Sequence, residues 1–203
     1  MQYVIVILLS YILGSSNMAK YLAAIKKVDL TAGGSGNLGA SNAVILMGWG
    51  AGVLTALHDI GKSALAVILA RLVFPDAPYI GAAAGVAAVL GHIFPFWMKF
   101  KGGKGFASYL GMTLALHWKL AIAVMVLVVV VTLITDYIVA ATTTTIILVP
   151  IGLGFLTQSW VLPLILLVAS GVIAWKHREN YVRIYNGTEI GFRKAGRGDY
   201  RVK

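Results

Sequence analysis

Seven apolar stretches alternate with short polar ones along the chain, at 3–19, 51–74, 79–98, 105–117, 118–135, 137–157 and 160–175. A helix rises about 1.5 Å per residue, so some 20 apolar residues cross a bilayer. Most of these runs meet that length. Residues 105–117 are only thirteen long and fall short of the usual span. The second run is preceded by a shorter apolar piece from 43, predicted to be partly inserted. Pro75-Asp76-Ala77-Pro78 predicts a tight turn, and Pro150 with Gly152 predicts a kink or shortening in the sixth run.

Charge assigns the sides. Lys20, Lys26 and Lys27 follow the first run, and three lysines fall within Lys99–Gly105. The tail carries Lys176, Arg178, Arg183, Arg193, Lys194, Arg197, Arg201 and Lys203. Basic residues gather on the cytoplasmic side. Placing the 99–104 loop and the tail on one side requires an even number of crossings between them, so 105–117 must count as one. The expected fold class is therefore an all-α integral membrane protein. It is a compact bundle of seven transmembrane helices, some short or partly re-entrant, with the N-terminus outside and the C-terminus cytoplasmic. Residues 1–192 form a single polytopic domain, and 193–203 a basic cytoplasmic tail.

Composition agrees with this pattern. Hydrophobic residues make up 59% and charged residues 12%, against roughly 25% charged in a soluble domain. Lys and Arg number 17 against 7 Asp and Glu, a net charge of +10. These cations sit in short loops between apolar runs, which suits anionic headgroups or a phosphorylated substrate rather than nucleic acid. The chain has no cysteine, which excludes disulfides and thiolate chemistry. The first run lacks a positive start and a small-residue cleavage site, so no cleavable signal is expected.

Three polar stretches break the apolar background and fall on the cytoplasmic side. Residues 28–42, VDLTAGGSGNLGASN, predict an irregular loop rich in free N–H groups. Residues 99–105, KFKGGKG, join lysines to glycines, a combination suited to phosphate but also to a purely topological loop. His177-Arg178-Glu179-Asn180 ends the last run. Ionisable residues near membrane depth are functional candidates.

These stretches carry a resemblance. The chain resembles the bacterial membrane glycerol-3-phosphate acyltransferases that use an acyl-phosphate donor. The motifs are GSGNLGASN (Gly34–Asn42), GHIFPFWMKFKGGKG (Gly91–Gly105) and HRENYVRIYNGTE (His177–Glu189), in order, with smaller matches at Tyr11, Leu13-Gly14-Ser15, Asp29-Leu30, and Asp59 with Lys62. The resemblance implies seven transmembrane helices in a bacterial plasma membrane and a site facing the cytoplasm. It implies acyl transfer from acyl phosphate to glycerol 3-phosphate, giving lysophosphatidic acid and phosphate. Acyl phosphate, glycerol 3-phosphate and membrane lipids are the expected partners, with contact to the enzyme that supplies the acyl phosphate. No cofactor, metal or nucleic acid is expected. The HxxxxD signature of soluble-type acyltransferases is absent.

Residue roles follow from the chemistry both substrates need, which is cations and N–H donors in a partly dry pocket. Lys104, then Lys101, are the expected phosphate contacts, with Lys62 in support. Gly102, Gly103 and Gly105 are expected to let the backbone wrap a phosphate. Ser35, Gly36 and Asn37 are expected to bind phosphate or hydroxyl. Asn42 either holds the loop or touches ligand. His177 accepts or orients the glycerol hydroxyl proton, and Asn180, three residues on, orients the acceptor. Thr142 matches a family serine by its hydroxyl. Glu179 and Glu189 are expected to partner cations.

The chain departs from the family pattern at three positions. Ile45 stands where an arginine is usual, Thr31 replaces another basic residue, and Asp136 replaces a third. Isoleucine cannot imitate a bidentate guanidinium. Two further readings therefore stay open: a divergent paralogue without catalysis or with another acceptor, and a small anion or phosphate-ester transporter. Against transport, no inverted internal repeat is visible.

Overall fold

A computed structural model describes residues 1–197. The described residues are helices and connecting turns, with no strand among them. In chain order the helices are α1 (Gln2–Gly14), α2 (Met18–Lys26), α3 (Ala40–Met47), α4 (Trp49–Val73), α5 (Ile80–Ile93), α6 (Phe106–Leu116), α7 (Trp118–Thr135), α8 (Ile138–Thr157), α9 (Val161–Lys176), α10 (Arg178–Tyr185) and α11 (Phe192–Arg197). Five segments are long and apolar enough to cross a membrane: Gln2–Lys26, Trp49–Val73, Ile80–Met98, Trp118–Thr135 and Ile138–Thr157. A sixth is added if α9 and α10, bent by 45°, count as one span.

Outward faces are apolar. Leu8, Leu9, Leu57, Leu72, Val126, Ile134 and Leu164 are each more than half exposed. Such a surface is solvated by lipid tails, not water. Inside, Val89, Ile93, Met112, Val149, Leu153, Leu166 and Ile173 form one core joining α5, α6, α8 and α9. Without a hydrophobic drive between helices in lipid, close packing holds them, and small residues permit it. Gly91 of α5 lies so near the Tyr11 carbonyl of α1 that any side chain there would collide with it.

The helix ends differ from the pattern-based expectation in two places and agree with it in a third. The first segment does not stop at 19. Asn17 accepts a hydrogen bond from Lys20 N–H at 2.8 Å, capping α2, which carries the segment on to Lys26. α6 has only 11 residues, about 16 Å of rise, so it is shorter than the usual span, as residues 105–117 lead one to expect. His117 ends it and caps α7 by accepting from Leu120 N–H at 3.2 Å. α8 runs unbroken for 20 residues with Pro150 inside it. Proline removes only the donor to the Ile146 carbonyl, a loss that membrane helices tolerate.

Two features position the polar face. Gly48, in a positive-φ conformation (φ 88), separates α3 from α4, so the apolar piece from 43 belongs to a short helix of its own, α3. His177 occupies the break between α9 and α10. α11 begins at 192 and so crosses the expected domain boundary, and residues 198–203 of the basic tail lie outside the described residues.

Candidate active site

The loop from Asp29 to Gly39 is held by buried asparagines. Asn42 accepts from Ser35 N–H and donates to the Leu30 carbonyl, both at 2.8 Å. Asn17 donates to the Leu38 carbonyl at 3.1 Å. Asp29 accepts from both the N–H and the hydroxyl of Thr31, so Thr31 serves the turn. Asn42 is thus engaged at both amide atoms, and Gly36 donates its N–H to Gly33 at 3.0 Å. Both hold the loop. Ser35 and Asn37 instead line a cavity of about 310 Å³.

The lysine–glycine loop divides its residues between two tasks. Gly102 donates its N–H to the Ile93 carbonyl at 3.1 Å, and Gly103 to the His92 carbonyl at 3.2 Å. These N–H groups cap the last carbonyls of α5, which would otherwise be orphaned. The sequence predicts that these N–H groups wrap a phosphate, but here they are engaged with α5. Gly103 also runs against the His92 ring, where an added Cβ would sit only 2.7 Å from Cε1. Lys99 and Lys101 point outward and are exposed. Of the loop, Lys104 and Gly105 reach the cavity.

Lys104 anchors a charged chain across it. Its ammonium donates to Asn180 Oδ1. Asn180 Nδ2 donates to Glu189 Oε1 at 2.6 Å, and Arg183 Nε donates to Glu189 Oε2 at 2.6 Å. An ammonium can only donate and a carboxylate only accept, so both ends fix the orientation of the Asn180 amide. Burial lowers the Lys104 ammonium to about 8, the positive charge of Arg183 pushes the same way, and Glu189 opposes both.

His177 faces the same space. Its Nδ1 lies 2.8 Å from the Ile173 carbonyl. A carbonyl only accepts, so Nδ1 carries the proton and Nε2 of the neutral ring is left as a lone-pair acceptor. Thr142 also lines the cavity, with its hydroxyl donated to the Ile138 carbonyl at 3.0 Å, the usual habit of threonine in membrane helices.

Lys62 is not brought to the cavity. Its ammonium lies in the interior, 2.7 Å from Asp59 Oδ1, 2.6 Å from the Ser16 carbonyl and 2.9 Å from His92 Nδ1. It neutralises Asp59, and Asp59 and His92 themselves border the cavity. Arg183 and Ile45 also line it, and neither was singled out for a direct role in it from sequence. A signal for Arg183 existed: it stands three residues after Asn180 on α10, the spacing of one helical face. Among the described residues, no group of three or more His, Asp or Glu is arranged to hold a metal ion.

The comparisons with known proteins fit this arrangement. The sequence model of a family described as "Glycerol-3-phosphate acyltransferase" matches residues 4–187. A glycerol-3-phosphate acyltransferase of Prochlorococcus marinus is 35% identical over 192 residues, 92% of this chain and 95% of that protein. One of Halorhodospira halophila is 36% identical over 194 residues, 95% of this chain and 98% of that protein. The crystal structure of PlsY (YgiH), an integral membrane glycerol 3-phosphate acyltransferase in its glycerol 3-phosphate form, matches with a TM-score of 0.89 at 30% identity. It covers 95% of this chain and 96% of its own. The lysophosphatidic acid form matches with a TM-score of 0.86 at 30% identity. With the family pattern matched over nearly the whole chain, and the fold matched in two forms of one enzyme, this protein belongs to the glycerol-3-phosphate acyltransferase family.

Proposed function

We propose that this membrane protein transfers an acyl group from acyl phosphate to a hydroxyl of glycerol 3-phosphate, releasing phosphate and forming lysophosphatidic acid. The observation that carries the reading is the convergence of Ser35, Lys104, and His177 with Asn180, from three separate stretches of chain, on one cavity. A glycerol hydroxyl oxygen attacks the acyl carbonyl carbon, and the bond from that carbon to the phosphate oxygen breaks. The hydroxyl proton passes to His177 Nε2 or to an oxygen of the departing phosphate. Acyl phosphate is already activated, so a strong base is not required. Lys104 and Arg183 hold phosphate charge, and Asn180 and Ser35 orient the acceptor, with Asn37, Thr142 and Gly105 completing the wall. Gly36, Asn42, Gly102 and Gly103 act as frame, Lys62 supports through Asp59, and Lys101 serves the entrance and the topology.

The same reading sets the topology at seven crossings, with α6 as the short fourth. The N-terminus is outside, and the C-terminus and the cavity face the cytoplasm of a bacterial plasma membrane. Residues 1–192 act as one domain, and an acyl-phosphate-producing enzyme delivers the donor.

Ile45 in the cavity wall supports a second reading, in which the acceptor carries less charge than glycerol 3-phosphate. One experiment separates them. Purified protein in lipid is given acyl phosphate with labelled glycerol 3-phosphate or labelled glycerol. Labelled lysophosphatidic acid, made far more slowly by H177A, supports the first reading. Acylation of glycerol alone supports the second, and no acyl product from either overturns both.

A further inference from the structure

The start of the C-terminal tail is docked, not loose. α11 packs against α3, the helix that carries Ile45. Its Phe192 and Ala195 line the cavity, and the Phe192 ring meets Trp49 edge-on at 6.3 Å. The anchor is Asp136 at the end of α7. Its main-chain carbonyl accepts from Phe192 N–H at 2.7 Å, and its carboxylate Oδ1 accepts from Arg193 N–H at 2.9 Å. The Arg193 guanidinium donates back to the Leu133 carbonyl at 2.7 Å. Gly191 lies so close to the carboxylate that a Cβ there would sit 2.8 Å from Asp136 Cγ.

Asp136 has the chemistry for this task and a basic residue does not. A lysine or arginine has no acceptor for Arg193 N–H and would repel the Arg193 side chain. Asp136 also adopts a left-handed backbone (φ 65), which aspartate tolerates better than most residues. Two positions at which this chain departs from the family pattern, Asp136 and Ile45, are therefore joined by α11. One holds the helix, and the other stands on the helix it covers.

We infer that α11 is a wall of the acceptor pocket, held shut by Asp136, and that it sets how tightly the acceptor phosphate is bound in a cavity whose α3 wall carries the uncharged Ile45. Arg193 is engaged in the anchor, while the neighbouring Lys194 is exposed and adds positive charge beside the cavity-lining Ala195. Asp136 is a positioning residue and touches no substrate. The inference rests on the acyltransferase reading.

The test compares full-length wild type with D136G, D136N and G191V, in lipid, by separate titrations of glycerol 3-phosphate and acyl phosphate. D136G keeps the left-handed turn and removes the carboxylate. G191V disturbs the same contact from the tail side and leaves α7 untouched. Both are expected to raise KM for glycerol 3-phosphate about tenfold, the effect of losing one contact to a charged group. Their kcat and their KM for acyl phosphate should stay within about twofold. D136N, which keeps the acceptor oxygen, should behave as wild type. Trypsin should cut D136G and G191V at Arg193 and Lys194 faster than wild type, independently of activity. Unchanged KM for glycerol 3-phosphate in both variants, or an equal loss for both substrates, overturns the inference. A wild type that makes no lysophosphatidic acid overturns the acyltransferase reading and this inference with it.

Discussion

The Lys104 ammonium donates to the side-chain carbonyl of Asn180, 76 positions away in the chain. That bond ties the lysine–glycine loop to α10. Glu189 and Arg183 extend it, so a positive charge stands at each end of a chain with one carboxylate between. On the proposed reading, an acceptor phosphate would meet two cations already oriented, which lowers the ordering cost of binding.

Lys104 should make acceptor affinity depend on pH. Burial holds its ammonium at about 8, below the usual lysine range. Under that pH it is charged and attracts phosphate; above it, it is neutral and does not. KM for glycerol 3-phosphate should be lowest near pH 7, since the phosphate itself ionises near 6, and about twofold higher by pH 8 as half of Lys104 becomes neutral. It should then rise by up to about tenfold per pH unit. A KM profile from pH 6.5 to 9.5 checks this, and K104M should abolish the rise.

His177 Nε2 is the free acceptor of the ring, because Nδ1 is held by the Ile173 carbonyl. H177A should lower kcat by about a hundredfold, the low end for acid–base assistance, since the donor is already activated. KM for acyl phosphate should change little. Steady-state kinetics with each substrate varied separately gives both values.

Ile45 lines the cavity with Lys104 and Arg183. I45R should add a guanidinium to that wall. One added charged hydrogen bond is worth about 1.5–3 kcal/mol, so KM for glycerol 3-phosphate should fall roughly ten- to a hundredfold. An unchanged KM in I45R would mean that Arg183 and α11 already satisfy the phosphate.

Asp59 and Lys62 form a buried pair with His92 beside it. Removing one partner leaves a bare charge, so D59A or K62A should each destabilise the protein by about 3–5 kcal/mol. The double variant D59A/K62A should lose much less than the sum. Thermal unfolding in detergent of the two singles and the double checks the coupling. A double loss equal to the sum would show two independent sites.

Local pattern was enough for most of the helical segments, though not for α2, α11 or the unbroken α8, because helix length, hydrophobic runs and turn residues act within a few neighbours. Residues 79–98, 118–135 and 137–157 were legible as helical segments, and Gly48 and His117 mark helix ends with local chemistry. The four side chains that meet in the cavity were also legible, as polar residues in an apolar chain. Tertiary structure alone decided what each polar atom faces. It sent Lys104 inward and Lys101 outward, although they stand three positions apart in one loop. The N–H groups of Gly102 and Gly103 went to the end of α5, because two carbonyls there lacked donors. Lys62 joined Asp59 inside, Arg183 joined the site, and α11 was laid across α3. Hydrogen-bond partners and ion pairs lie tens of residues apart, so their identity depends on which helices pack together, and no local spacing encodes that.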